Sequence, residues 1–340
     1  MTIELAKEWQ TEYEICISYH GSPIKGLLFN TELDEAHTVY SANQWMICND
    51  KPSDKATFNL NILIPKGKQC VASGELTGIE QKGDKQLFHW SQTYESPFYT
   101  YGFVIGNFNQ TIEQVGNVKL NYYSSQLSID TLKKVFVETG NILRFFEEKS
   151  GVKYVQGSYS QILIGSHYQE MSGLSVFRES YASAVLKDSS EIHLTSHELA
   201  HQWWGNMITC KTFSHFWLNE ALAVYMSAAF SEHKFGKEKY LADMAIYKNI
   251  YDNLLEKGKD RSLIFTKWKS SRDNRHIAYY KGAYVLHLLR QELGDKAFWG
   301  GIKLYSQRYF GKSVETIDFK QAMEESTDVN LDDFFNTWVY

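Results

Sequence analysis

The chain has 340 residues, 43% of them hydrophobic and 22% charged, with a formal net charge of -5. That length is enough for two domains and a sizeable core, and the balance is that of a folded globular chain rather than a disordered one. The mild acidity, with no long run of one sign, excludes the basic stripe that a nucleic-acid partner requires.

The first third reads as strands. In KATFNLNILIPKG, Phe58, Leu60, Ile62 and Ile64 alternate with Thr57, Asn59, Asn61 and Leu63, the period of a half-buried strand, and Pro65, Lys66 and Gly67 close it. QLFHWSQTYE and YTYGFVIGNF continue the pattern. Ser128 is placed to cap a helix whose apolar positions Ile129, Leu132, Phe136, Leu143 and Phe146 recur at helical spacing, and Gly151 is placed to end it. QILIG (161–165) is a short buried-strand candidate. HELAHQWWG, ALAVYMSAAF, AYYKGAYVLHLLRQELG and LDDFFNTWVY read as helices. Strands followed mainly by helices predict an α+β fold, with a β-sheet domain over 1–110 and a mainly helical domain over 111–340. The boundary is expected in the polar stretch NQTIEQVGN.

No stretch reaches the roughly 18 apolar residues of a membrane span. The opening MTIELAKEWQTEYEICISYHG also lacks the apolar core of a secretory signal, so the expectation is a cytoplasmic protein with no membrane partner. Cys16, Cys48, Cys70 and Cys210 form no CxxC pair and are expected as free thiols, not zinc ligands.

The sharpest pattern is HELAH, residues 197–201. Residues four apart share one helix face, so His197 and His201 can both reach one ion. That pitch suits two zinc–imidazole bonds of about 2.0–2.1 Å. Glu198 projects along the same side, placed to take a proton from a water that the metal activates. Thr195 or Ser196 is expected to cap this helix, Gly205 to end it, and Trp203 and Trp204 to wall the metal from water. A catalytic zinc takes three protein ligands and one open position. WLNEALAVY supplies the third ligand as Glu220, at the start of a second amphipathic helix. The remaining histidines, among them His167, lack ligand spacing and read as structural or solvated.

HELAHQWWGN followed by WLNEALAVY resembles the M1 family of zinc aminopeptidases, gluzincins related to aminopeptidase N and leukotriene A4 hydrolase. The family pattern is HExxH, eighteen residues, then Glu, and His197, Glu198, His201 and Glu220 fit it. The family's YxKG segment is matched by Tyr279, Lys281 and Gly282, and the resemblance implies that Tyr279 stabilises the oxyanion. The GxMEN recognition segment corresponds to HYQEMSG. Here His167 replaces the glycine, Gln169 the methionine and Met171 the asparagine, while Glu170 falls on the amine-binding glutamate, beside Gly173.

The resemblance implies a thermolysin-like catalytic domain, one zinc ion per chain, and hydrolysis of the first residue from peptides with a free amino terminus. In that scheme Glu198 is the general base, Tyr279 the oxyanion donor, and Glu170 and Gly173 bind substrate. Residues 171–175 would align the peptide by strand addition. Relative to the family, the first strands of the β domain and the large helical carboxy-terminal domain are missing. A further amine-binding Gln or Glu of the β domain has no evident counterpart. The family also includes an epoxide hydrolase and members that have lost zinc and serve as scaffolds, and an open site also admits endopeptidase action. Intact ligands, base and tyrosine favour the enzyme.

Overall fold

The computed structural model describes residues 14–340. Nine strands come first: β1 (Leu27–Asn30), β2 (Glu35–Thr38), β3 (Lys55–Pro65), β4 (Gln69–Ala72), β5 (Glu75–Lys82), β6 (Lys85–Pro97), β7 (Phe103–Gly106), β8 (Asn109–Val115) and β9 (Val118–Ser124). They build a four-stranded sheet in the order β1-β2-β7-β4, a three-stranded sheet β3-β6-β5, and the first part of a third sheet. The alternation in β3 is realised: Phe58, Leu60, Ile62 and Ile64 turn inward while Thr57, Asn59, Asn61 and Leu63 are exposed. NQTIEQV, the stretch in which a boundary was expected, forms β8 and pairs with β9 along its whole length.

Helices dominate the remainder. α1 (Ile129–Val135) and α2 (Thr139–Ser150) precede β10 (Ser158–Leu163), β11 (Gln169–Met171) and β12 (Leu174–Phe177). Next come α3 (Ser180–Lys187), α4 (His193–Ala200), β13 (Thr209–Cys210), α5 (Trp217–Phe235), α6 (Lys237–Glu256) and α7 (Arg272–His276). A π-helical turn (Ile277–Lys281) leads into α8 (Gly282–Leu293), α9 (Asp295–Tyr309), β14 (Ser313–Val314), α10 (Thr316–Thr327) and α11 (Asp332–Trp338). The fold is α+β. Among the described residues no helix is long and apolar enough to cross a membrane, and all four cysteines are free thiols.

The helix expected over Ser128 to Gly151 is two helices. Ser128 caps the first by accepting from the Thr131 N–H, and Gly151 ends the second at φ 66°. The break falls where Phe136 leaves helical geometry to stack on Tyr122, with ring centres 5.1 Å apart.

The third sheet, ordered β11-β12-β10-β9-β8, positions the site. It is covered on both faces, and the period of two shows in its side chains. Tyr122, Leu163 and Phe177 join the helical core, whereas their chain neighbours Tyr123, Ile162 and Val176 join the core shared with the preceding sheets. β11 lies at the edge of this sheet, antiparallel to β12.

Candidate metal centre

α4 carries His197 and Glu198, and His201 caps its end. The helix starts at His193, earlier than Thr195 or Ser196, because neither of these hydroxyls is available to cap. Ser196 bonds Ser227 of α5 at 2.7 Å, and Thr195 bonds Tyr181 of α3 at 2.7 Å. Ser227 also donates to the His193 carbonyl, so α4 is pinned to α5. α5 presents Glu220 in its first turn, where the helix dipole favours a carboxylate.

His197 Nε2 and His201 Nε2 lie 3.1 Å apart, and Glu220 Oε2 lies 3.6 and 3.4 Å from them. Tetrahedral ligands at zinc distances sit about 3.3–3.4 Å from one another, so the three atoms fit one ion. The hydrogen-bond inventory agrees. His201 Nδ1 lies 3.0 Å from the Trp204 carbonyl, an acceptor only, which puts the proton on Nδ1 and leaves Nε2 as a donor atom for a metal. Glu220 Oε2 is buried without a hydrogen-bond partner. Two ring nitrogens and a carboxylate oxygen thus converge, and His197, His201 and Glu220 together could hold a metal ion.

The electrostatics without a metal point the same way. Burial opposes charge on His201, yet the Glu220 carboxylate, then Glu170 and Glu198, lift it to about 10. Burial would raise Glu220, but the positive charge of His201 and the closeness of both imidazoles hold it at about 2. Glu198 is pushed well up by burial and then by the charge of Glu170, and burial also raises Glu170. The pocket therefore draws positive charge to its ligands.

These residues line one cleft of about 750 Å³, which also takes in Glu170 and Tyr279. Glu170 is half-buried on β11. Tyr279 sits on the π turn with its ring nearly parallel to that of His197, centres 6.2 Å apart, while the next residue, Tyr280, packs on Tyr247. π turns often mark functional positions, and this one turns Tyr279 rather than Tyr280 toward the cleft.

Two expected placements differ. Gly173 lies in the turn after β11, behind the cleft lining, with its N–H taken by Gln202. Its φ of 75°, and a site where a Cβ would meet Gln156 Oε1 at 2.3 Å, explain the glycine. Trp203 and Trp204 are core residues that anchor α4 from behind, through indole bonds to the Val152 carbonyl and Ser306. The aromatic walls come instead from Tyr40, Tyr99, Phe213 and Phe216. Tyr40 is held by a hydrogen bond from its hydroxyl to the Tyr168 carbonyl and by its N–H on Gln169 Oε1. Tyr40 and Ser41 both have positive φ, 48° and 45°, strained for residues that carry a Cβ. Asn43 and Gln44 follow on the same wall, so the strand-rich region does supply a glutamine to the cleft.

Residues 136–338 match the peptidase family M1 domain. The chain belongs to peptidase family M1. It is 24% identical over 92% of its length to a probable aminopeptidase 2 of Sulfurisphaera tokodaii, and 26% identical over 86% to a leucine aminopeptidase 2 of Aspergillus terreus. It spans 41% and 50% of those two proteins. The M1 zinc metallopeptidase of Deinococcus radiodurans has the same fold, with a TM-score of 0.77 at 23% identity over 94% of this chain and 73% of that one. A variant of that enzyme bound to a Tyr-Ser-Ala substrate aligns with a TM-score of 0.73 at 22% identity, over 90% and 69% of the two chains. M1 membership accords with the HELAH and Glu220 spacing.

Proposed function

We propose that this M1 chain is a zinc-dependent aminopeptidase that removes the first residue from peptides with a free amino terminus. The observation that carries the reading is the convergence of His197, His201 and Glu220 in a cleft that Glu198, Glu170 and Tyr279 also line. Zinc held there would polarise the scissile carbonyl and acidify a water molecule.

The chain's own side chains supply the rest. Glu198 takes the proton of the attacking water and returns it to the leaving amine. It is 4% exposed, and its Oε2 is buried without a partner, as suits a base that keeps an acceptor free. Tyr279 donates its hydroxyl proton in a hydrogen bond to the developing oxyanion. Burial, then the charge of Glu220, keeps this phenol well above its ordinary pKa, so it stays a donor. Glu170 pairs with the substrate ammonium and fixes cleavage at the first bond. The edge of β11 accepts the peptide backbone as an added strand, in place of residues 171–175, of which Leu174 and Ser175 are already paired on both sides.

The test is a scan of aminoacyl reporters and their acetylated forms on zinc-loaded protein, with and without chelator. Turnover of free-amine reporters only, abolished by chelator, is expected. Glu170→Ala should lower kcat/KM for free-amine substrates by about tenfold or more. Equal use of acetylated reporters would replace this reading with endopeptidase action.

A further inference from the structure

Gln202 follows His201 directly and is 3% exposed. Its Oε1 accepts the Gly173 N–H at 2.9 Å, and its Nε2 donates to the Met171 carbonyl at 2.9 Å. Those two peptide groups flank Ser172 at the turn between β11 and β12. The orientation of the amide is settled by its partners: the flipped group would set donor against donor and acceptor against acceptor.

The turn has little slack. Ser172 donates its N–H to the Thr100 carbonyl at 2.8 Å, and its hydroxyl takes hydrogen bonds from Gln156 at 3.0 Å and from Gln92. Gly173 is closed in by Gln156. At its start β11 is held through Gln169, whose side chain receives the Tyr40 N–H and donates to the Tyr99 carbonyl. At its end the hold comes from Gln202, out of the segment that carries the metal ligands. β11 is three residues long, and within its sheet it pairs with β12 alone. Of the hydrogen bonds named here, those of Gln202 are the ones that tie β11 to the segment carrying His197 and His201.

The geometry points to Gln202 as a positioning residue that sets β11, and with it Glu170, in register with the metal centre. It does not touch the cleft. Its action is to keep the amine anchor and the peptide-binding edge at one fixed distance from the ligands and from Glu198. A displacement of about 1 Å at such an edge is enough to degrade substrate alignment. This inference rests on the aminopeptidase reading of the same site.

The experiment compares wild type, Gln202→Leu and Gln202→Glu as full-length zinc-loaded proteins. Leucine removes both bonds; glutamate keeps the acceptor for Gly173 and loses the donor to Met171. Zinc content, kcat and KM for an aminoacyl reporter are read, together with amide hydrogen exchange over residues 169–176. Expected in Gln202→Leu are full zinc content, faster exchange in that segment, and a KM raised on the order of tenfold with a smaller change in kcat. Gln202→Glu, which sets a carboxylate oxygen against the Met171 carbonyl, should raise KM and exchange at least as far. Zinc and kcat falling together at unchanged KM would assign Gln202 a merely structural role and overturn the inference, as would unchanged KM and exchange in both variants. A wild type without turnover would strike the aminopeptidase reading instead, and unchanged exchange would then still refute the hold on β11.

Discussion

Glu198→Gln separates metal binding from water activation. The two side chains have the same shape, and Glu198 is not among the three converging ligand atoms, so the α4–α5 pinning and the ligand set are undisturbed. The variant should bind zinc as wild type does. What it loses is the proton acceptor. A positioned general base contributes about 10²–10⁴-fold, and at about 1.36 kcal/mol per tenfold this is roughly 3–5 kcal/mol of barrier. The site favours the upper part of that range. Glu198 is buried, so bulk water has poor access to substitute as base. The assay is steady-state hydrolysis of an aminoacyl reporter, with zinc measured on the same preparation and KM determined for both proteins. The expected outcome is unchanged zinc, KM within about threefold, and kcat lowered about 10³–10⁴-fold. A zinc-loaded variant that keeps kcat within about tenfold of wild type would refute the general-base assignment.

Tyr279→Phe removes one oxyanion donor and should lower kcat about 10²–10³-fold with zinc unchanged, by the same assay; an unchanged kcat removes the tyrosine from the reaction. Lys281→Met breaks a buried contact in which Nζ lies 2.6 Å from both Asp260 Oδ1 and the Arg261 carbonyl. Because Asp260 is partly exposed, a loss of about 2 kcal/mol in denaturant unfolding is expected, with a fall in kcat because the π turn that carries Tyr279 is released; a loss below about 0.5 kcal/mol would contradict the anchoring role. His37 is held near 4 by burial and then by the charge of His167, below its ordinary 6.5. The unfolded chain therefore binds a proton that the fold refuses, so this contribution is complete above pH 6.5 and is lost as pH falls toward 4. At about 1.36 kcal/mol per pH unit that window is worth at most about 3 kcal/mol, and His37→Gln should flatten the fall in thermal midpoint across it. Parallel curves for the two proteins would show that His37 is not responsible.

The cluster of candidate metal ligands was legible because its information is local. The i, i+4 spacing of His197 and His201 needs only a helix, and Glu220 needs only the start of the next one, which was expected to be amphipathic but is buried all round from Trp217 to Ser231. Strand alternation in β3 was legible for the same reason. What escaped depends on tertiary context. The break at Phe136 follows from a stacking partner, Tyr122, that lies distant in sequence and fits the same apolar period either way. Thr195 and Ser196 look like caps until Tyr181 and Ser227 claim their hydroxyls. Trp203 and Trp204 lie next to a ligand in sequence, but the turn after α4 sends them into the core. Tyr40 and Tyr99 reach the cleft from the strand-rich region, and no motif marks them. For Tyr40 the cause is a backbone conformation, φ 48°, that propensity argues against. Gly173 was expected from its place in the recognition segment; its positive φ, and the lack of room for a Cβ beside Gln156, give the glycine a turn role that the motif does not reveal.

The charge balance of the cleft links the metal to the substrate. Glu170, Glu198 and Glu220 share it; burial first, and then the charge of neighbouring carboxylates, raises Glu170 and Glu198. A dication would offset two of the three glutamate charges, leaving one among the glutamates; Asp50, Lys25, Lys267 and Lys269 line the same cleft, and Lys269 acts on Glu170. The ammonium of a free amino terminus would bring a positive charge to that remaining glutamate, whereas an acetylated terminus would not. On this argument the proposed preference for free-amine peptides would belong to the whole carboxylate set rather than to Glu170 alone. Glu170→Gln would therefore weaken the preference by removing the residual charge even though it keeps the hydrogen-bonding oxygen. If Glu170→Gln discriminated free from acetylated reporters as sharply as wild type, geometry at β11, and not charge balance, would be the source of the selectivity.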